Sequence, residues 1–200
     1  MIKTLICDLG GVYFTDGSAR AIERISAIYH IAEARVRDVL MGPLGSRYRC
    51  GQIGAAQFWE EAKQSWDLQA PSDEIANIWL HAYEPIEGTV ALVERLRRAR
   101  YEMLFLSDNV QERIDYLESR YGFLQRFEAG VLSHRVGMRK PDPRIYELAL
   151  AKASHPAVQC VFIDDKPPML EPAKRLGMSV IAFENPRQLE RDLQGLGLTF

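Results

Sequence analysis

Long apolar runs are missing from this chain, and so is any strong bias of charge. No stretch approaches the roughly 18 uninterrupted apolar residues of a membrane-spanning helix. The apolar start, Ile2 to Leu9, is short and is broken by Lys3 and Asp8, so it has neither the length nor the flanks of a secretory leader. The expected location is therefore the cytoplasm, with no membrane partner. With 25 basic and 27 acidic residues the net charge is -2. Such a balance offers no general attraction to nucleic acid or anionic lipid, and no nucleic-acid partner is expected. Cysteine is scarce: Cys7, Cys50 and Cys160 have no metal-ligand spacing. The first and last lie inside apolar runs, where cysteine behaves as a small buried hydrophobe, and a reducing compartment fits. There is no internal repeat and no low-complexity tract, and His30, His81, His134 and His155 form no pattern.

What is present is a rhythm of strands and helices. Five short apolar runs (Leu5–Cys7, Met103–Leu106, Val131–Leu132, Val161–Ile163 and Val180–Phe183) are continuous rather than alternating. That is the pattern of parallel strands covered by helices on both faces. Helical spacing separates most of them: Leu92, Val93 and Leu96, then Ile114, Leu117 and Tyr121, then Ile145, Leu148 and Ala149 after Pro141-Asp142-Pro143. Pro168 to Leu176 reads as a further helix stopped by Gly177. The predicted fold is α/β, an open doubly wound parallel sheet.

One interval breaks the rhythm. From Asp8 to Tyr101 is about three times the ~30 residues of one βαβ unit. Residues 16–84 carry no strand-like run. Ile22, Ile25 and Ile28 form one helical stripe, and Phe58, Ala62 and Ser65 with Trp59 and Trp66 another. Ile75, Ile78, Trp79 and Ala82 form a third, with Ser72 expected as its N-cap behind Pro71. This predicts a small helical domain, 16–84, inserted after the first strand of a core made of 1–15 and 85–200. Thr15-Asp16-Gly17 and Glu84-Pro85 are the expected hinges. The three tryptophans read as packing for the insert rather than as a ligand platform.

Ligands of open α/β sheets bind beyond the carboxyl ends of the strands, and chemistry-bearing residues collect there. Asp8, followed by Leu9-Gly10-Gly11-Val12, ends the first strand. A carboxylate so placed can attack phosphorus and split hydrolysis into two easier steps. The same Asp-Gly turn also occurs at strand ends with no chemistry. Asp164-Asp165 ends another strand; two adjacent carboxylates repel, and Mg²⁺ is commonly held by such a pair together with phosphate. Lys166 pairing with them in a surface loop is the plainer alternative. Ser107 ends a third strand, and Lys140 follows the fourth run; hydroxyl and ammonium would grip the transferring phosphoryl oxygens. Within Gly45–Ile53, read as a glycine-bounded loop, Arg47 or Arg49 could recognise substrate by forked hydrogen bonds, or simply be solvated.

These residues resemble the haloacid dehalogenase-like hydrolase superfamily from end to end. Asp8-Leu9-Gly10-Gly11-Val12 looks like its first motif and Leu106-Ser107-Asp108-Asn109 its second. Gly137-Met138-Arg139-Lys140-Pro141-Asp142 looks like the third and Phe162-Ile163-Asp164-Asp165 the fourth. Within the superfamily the chain is most similar to bacterial sugar phosphatases, including glucose-1-phosphate phosphatases, and to the N-terminal phosphatase domain of soluble epoxide hydrolases. The resemblance implies a Rossmann-like core, a mobile helical cap and Mg²⁺ held by Asp8, the Gly10 carbonyl, Asp164 and Asp165. It implies catalysis by Asp8 with Lys140, phosphate contacts from Ser107, Asp108 and Lys140, and a small phosphorylated metabolite, such as a sugar phosphate, as substrate of a monomer or weak homodimer. Three departures stand out. Gly10 replaces the second aspartate that serves as general acid and base. Asp108 stands where asparagine is common. Met169 stands where Asp or Asn often supports the metal-binding acids. These keep a catalytically silent phosphate-binding module in view. A second alternative is a dehalogenase in which Asp8 attacks carbon without a metal, and the Asp164-Asp165 pair argues against it.

Overall fold

The computed structural model describes residues 1–200. Its centre is a five-stranded parallel sheet made of β1 (Thr4–Cys7), β2 (Glu102–Ser107), β3 (Ala129–Leu132), β4 (Cys160–Asp164) and β5 (Ser179–Ala182), in the order β3-β2-β1-β4-β5. The five apolar runs are these strands. Alternate side chains serve opposite faces. Leu5, Cys7, Met103, Phe105, Val161 and Ile163 join the larger core, whereas Ile6, Leu104, Leu106 and Phe162 join a second core on the other side. Both faces are dry, which is why the runs do not alternate in polarity.

The first face is covered by α6 (Glu87–Arg98), α7 (Gln111–Tyr121) and α11 (Pro186–Gly195), through Leu92, Leu96, Ile114, Leu117, Leu189 and Leu193. The second carries α9 (Pro143–Lys152) and α10 (Pro167–Arg175) through Ile145, Tyr146, Leu170 and Ala173. Pro143 sits in the first turn of α9, where its missing N–H costs nothing, and Asp142 accepts the Arg144 amide as N-cap. Gly177, at φ +87°, lies just beyond α10 as the stop its sequence position predicts. A single turn, α8 (Ser133–Val136), follows β3.

Between β1 and α6 lie five helices: α1 (Gly17–Tyr29), α2 (Glu33–Met41), α3 (Pro43–Arg49), α4 (Ala55–Trp66) and α5 (Ser72–Leu80). Asp16 accepts from the Ser18 and Ala19 amides and starts α1. Tyr48 stacks on Phe58, and Trp59 meets Phe58 and Trp79 edge-on, in the middle of the insert. The chain enters and leaves this bundle through a narrow neck. Thr15 N–H donates to the Glu84 carbonyl at 2.8 Å, and Ile86 N–H to the Tyr13 carbonyl at 2.9 Å.

Three local expectations need correction. Gly45–Ile53 is not a loop: Pro43 opens α3 after extended Gly42, and the helix runs through Arg49. Gly45 is small because a Cβ there would lie 2.0 Å from the Leu40 carbonyl oxygen, a packing need rather than a turn. Ser72 is the first residue of α5, not its cap, and its hydroxyl donates to Glu60 at 2.7 Å. Ile28 and Ser65 lie outside their stripes: Ile22 and Ile25 are buried but Ile28 is 56% exposed, and Ser65 faces solvent. No helix is long and apolar enough to cross a membrane.

Candidate active site

Strand register builds the site. Because Cys7 pairs with Ile163, the residues that follow, Asp8 and Asp164, emerge side by side at the carboxyl edge of the sheet. The Asp8 N–H donates to the Ile163 carbonyl at 2.9 Å, fixing that level. On the other side of β1, Ser107 ends β2 and is buried. Lys140 arrives from the loop after α8, and its ammonium bridges Asp8 Oδ2 at 2.9 Å and Asp164 Oδ2 at 2.5 Å. All three side chains of this bridge are buried. Asp8 Oδ1 accepts the Leu9 N–H, and Asp164 Oδ1 the Lys166 N–H.

Charge in this cluster is unbalanced. Burial holds the Asp8 carboxyl up at about 6, with Lys140 opposing and Asp164 adding to the rise. Burial alone would lower Lys140, yet the Asp8 and Asp164 carboxylates overcome it and hold the ammonium above its usual value. Asp165 is likewise raised, by burial first, against partial relief from Lys166, whose ammonium stands 3.6 Å away.

The arrangement fits a divalent cation. Ligand oxygens of Asp8, Asp164 and Asp165 lie within 4.8 Å of one another. On one octahedral Mg²⁺ adjacent ligand oxygens are about 3 Å apart and opposed ones about 4.2 Å, so the three carboxylates need to draw together around the ion by side-chain rotation. Asp165 Oδ1 is buried and has no hydrogen-bond partner, which is costly unless a cation or donor meets it. Gly11 provides the space. At φ +90°, a Cβ on it would fall 2.4 Å from the Asp165 carboxyl. Gly11→Ala is expected to cost about 1–2 kcal/mol from its backbone conformation and to weaken Mg²⁺ binding roughly 10–100-fold by displacing Asp165. Mg²⁺-dependent shifts in melting temperature measure both; unchanged metal affinity would dissociate Gly11 from the cation site.

Asp108 is not available as a phosphate contact through its side chain. Its carboxylate pairs with Arg139 at 3.1 Å and accepts the Lys140 backbone N–H at 3.0 Å. This extra acid therefore fastens the Arg139-Lys140 loop, which answers how it avoids repelling an anion. Arg47 lies away from the cleft and pairs with Glu61 at 3.3 Å on the surface of the insert. Arg49 is buried and lines the cleft together with Asp8, Ser107 and Lys140. Met169 also lines it, and its carbonyl accepts from Tyr146 at 2.7 Å. The cleft is small, about 180 Å³.

Residues 50–183 match the family described as haloacid dehalogenase-like hydrolase, well over half of the sequence. The chain belongs to that family. Among solved structures, a haloacid dehalogenase family enzyme from Bacteroides thetaiotaomicron, in complex with magnesium and inorganic phosphate, superposes with a TM-score of 0.80 at 23% identity, over 92% of this chain and 96% of that one. Flavin mononucleotide hydrolase 1 of Arabidopsis thaliana is 39% identical over 62 residues, covering 31% of this chain and 25% of that protein. Bifunctional epoxide hydrolase 2 of Sus scrofa is 38% identical over 68 residues, 34% of this chain and 12% of that protein. The matched segments are thus a quarter or less of those two relatives' lengths.

Within this hydrolase the structure also gives Asn109, quoted above only as part of the second motif, a place of its own, and brings forward Ser133, Arg113 and Tyr83, which no motif contained. Asn109 is buried; its N–H donates to Ser133 Oγ, and Ser133 Oγ in turn donates to the Arg49 carbonyl at 2.6 Å. That chain of bonds fastens α3 of the insert to the start of α8 and the segment after β2. Arg113 and Tyr83 line the cleft as well. Arg113 follows Asn109 by one helical turn, a spacing visible in the sequence, but its partners come from α5 and beyond, which no local pattern discloses.

Proposed function

We propose that this hydrolase is a Mg²⁺-dependent phosphomonoesterase acting on a small phosphorylated metabolite, such as a sugar phosphate, through Asp8. The observation that carries this is the convergence of Asp8, Asp164 and Asp165 within 4.8 Å, with the orphaned Asp165 oxygen, beside Ser107 and Lys140. Asp8, Asp164, Asp165 and the Gly10 carbonyl are the groups to hold Mg²⁺, which when bound offsets the charge between carboxylate and phosphate. The Asp8 carboxylate attacks phosphorus; an oxygen–phosphorus bond forms as the ester oxygen leaves with its electron pair. Water then attacks the aspartyl-phosphate, releasing phosphate and regenerating the carboxylate. Lys140 and the Ser107 hydroxyl face the transferring oxygens, and Asp108 keeps Lys140 in register through its backbone amide.

A screen of phosphorylated metabolites with and without Mg²⁺ tests the reading. Turnover that disappears with a chelator is expected; turnover indifferent to chelation favours a dehalogenase-type or other metal-free reaction, and no turnover at all a silent phosphate-binding module.

Gly10 has a specific consequence. Where relatives carry an acid to protonate the leaving oxygen, this chain has only hydrogen, and general acid catalysis typically contributes 10²–10⁴-fold. Rates are therefore expected to fall steeply as the leaving-group pKa rises. There is room to test this directly: a Cβ at Gly10 would meet nothing closer than the Tyr83 ring at 3.6 Å. Gly10→Asp should speed the esters with poor leaving groups by about tenfold or more and flatten the dependence. A flat dependence in the unmodified enzyme would assign protonation to another group.

A further inference from the structure

The cleft holds a second concentration of positive charge that the phosphoryl chemistry does not use. Arg113, on α7, is 1% exposed. Its guanidinium lies between two rings, 3.6 Å from the Trp79 centroid and 4.2 Å from that of Tyr83. Nη1 makes one long bond, 3.3 Å, to Asn109 Oδ1, while Nε and Nη2 are buried with no partner. Arg49, on α3, is 3% exposed and lies 5.4 Å from the same Trp79 centroid. Its bonds run to the Leu40 and Gly45 carbonyls and the Met41 sulfur. Neither guanidinium has a carboxylate.

The acids nearby are already engaged. Asp108 holds Arg139, Glu112 accepts from the Tyr48 hydroxyl at 2.8 Å, and Asp16 caps α1. Burial, followed by the positive charge of Arg113, lowers Arg49 to about 10, and burial lowers Arg113 too. Aromatic faces offset part of the cost of burying a cation. They do not satisfy N–H donors or remove the repulsion between two guanidinium groups sharing one indole. A planar oxyanion does both, by forked, charge-assisted hydrogen bonds.

We infer that Arg113 and Arg49 form a subsite for a second anionic group, so that the substrate is a phosphorylated metabolite carrying, besides the phosphoryl group that Asp8 attacks, a carboxylate or a further phosphate. The inference rests on the phosphatase reading above and narrows its substrate class. Arg113 reaches the cleft from the helix that follows Ser107, and Arg49 from the insert. The second anion is therefore read jointly by core and insert, and a neutral sugar monophosphate leaves both cations unanswered.

Non-hydrolysable phosphonates test this on the intact Mg²⁺-loaded protein by titration calorimetry. Three matched series of two to four carbons are compared: plain alkylphosphonates, ω-carboxyalkylphosphonates and alkane bisphosphonates. In at least one of the two charged series the best member is expected to bind about tenfold or more tighter than the plain compound of equal length, and whichever series leads identifies the second anion. Arg113→Gln should bring that ratio close to one, and Arg113→Lys, which keeps the charge but loses the fork, should leave it in between. The ratio in the unmodified protein decides the matter even if a variant fails to fold. Equal binding of charged and plain compounds overturns the subsite while leaving the phosphatase reading intact. Failure of all three series to bind overturns the phosphatase reading and the subsite with it.

Discussion

Asp8→Asn is expected to lower Mg²⁺-dependent monoester turnover by on the order of 10⁴-fold or more, because an amide does not replace the carboxylate as nucleophile. The fold should survive. Asparagine has the same shape, its Oδ1 can still accept the Leu9 N–H now held at 2.7 Å, and Lys140 keeps its contact with Asp164. One buried negative charge disappears from a cluster that crowds carboxylates, which offsets part of the lost ion pair with Lys140. Two measurements are needed. Acid-quenched digests should contain a phosphorylated peptide spanning residue 8 in the unmodified protein and none in the variant, and thermal melts should show a small shift. Near-normal turnover in a folded Asp8→Asn protein would refute the mechanism.

Lys140→Met should damage stability as well as rate. Methionine matches the lysine stem in volume but leaves Asp8 and Asp164, both buried, facing each other without their cation. Removing one partner of a buried ion pair typically costs about 3–5 kcal/mol, because the other charge stays buried. Here two charges remain, so the loss should lie toward the upper end, in a protein whose whole stability is of order 5–15 kcal/mol. A further expectation separates charge from packing. Mg²⁺ binds the same carboxylates and should stabilise the variant more than the unmodified chain, since ligand binding to the folded state adds to its stability. Urea denaturation with and without Mg²⁺ measures both. Turnover should also drop about 10²–10³-fold with the loss of a donor to the phosphoryl oxygens. Equal metal-free stability of the two proteins would show that the bridge contributes nothing net.

The sheet was legible in the sequence because parallel strands buried on two faces leave continuous apolar runs, and nothing else in the chain has that texture. Asp8, Asp164 and Ser107 were legible for a related reason: each directly ends such a run, and a strand end has a fixed place in this architecture. Asp165 follows at once. What escaped detection depended on partners distant in the chain. Gly45 looked like a turn because a glycine's need for a close neighbour, here the Leu40 carbonyl, leaves the same letter as a need for an unusual φ. Asp108 lines the cleft, but the sequence did not disclose that Arg139 and the Lys140 amide hold its oxygens. Arg47 and Arg49 were indistinguishable as letters; helix α3 turns one toward Glu61 and solvent and the other into the interior. Arg113 gave no signal beyond its one-turn spacing from Asn109, since the rings of Trp79 and Tyr83 that enclose it lie far back along the chain.

The narrow neck bears on how the sheet assembles. Thr4 of β1 meets Glu102 of β2 across a separation of 98 residues, and closing a flexible loop of that length costs about 4 kcal/mol in chain entropy. Helices with local contacts form early, whereas distant strand pairings come late. Once the bundle has formed and Tyr13 and Thr15 have zipped to Ile86 and Glu84, the disordered chain between β1 and β2 shrinks to two short arms. The helical insert is then also the splint that lets the two central strands find each other in time.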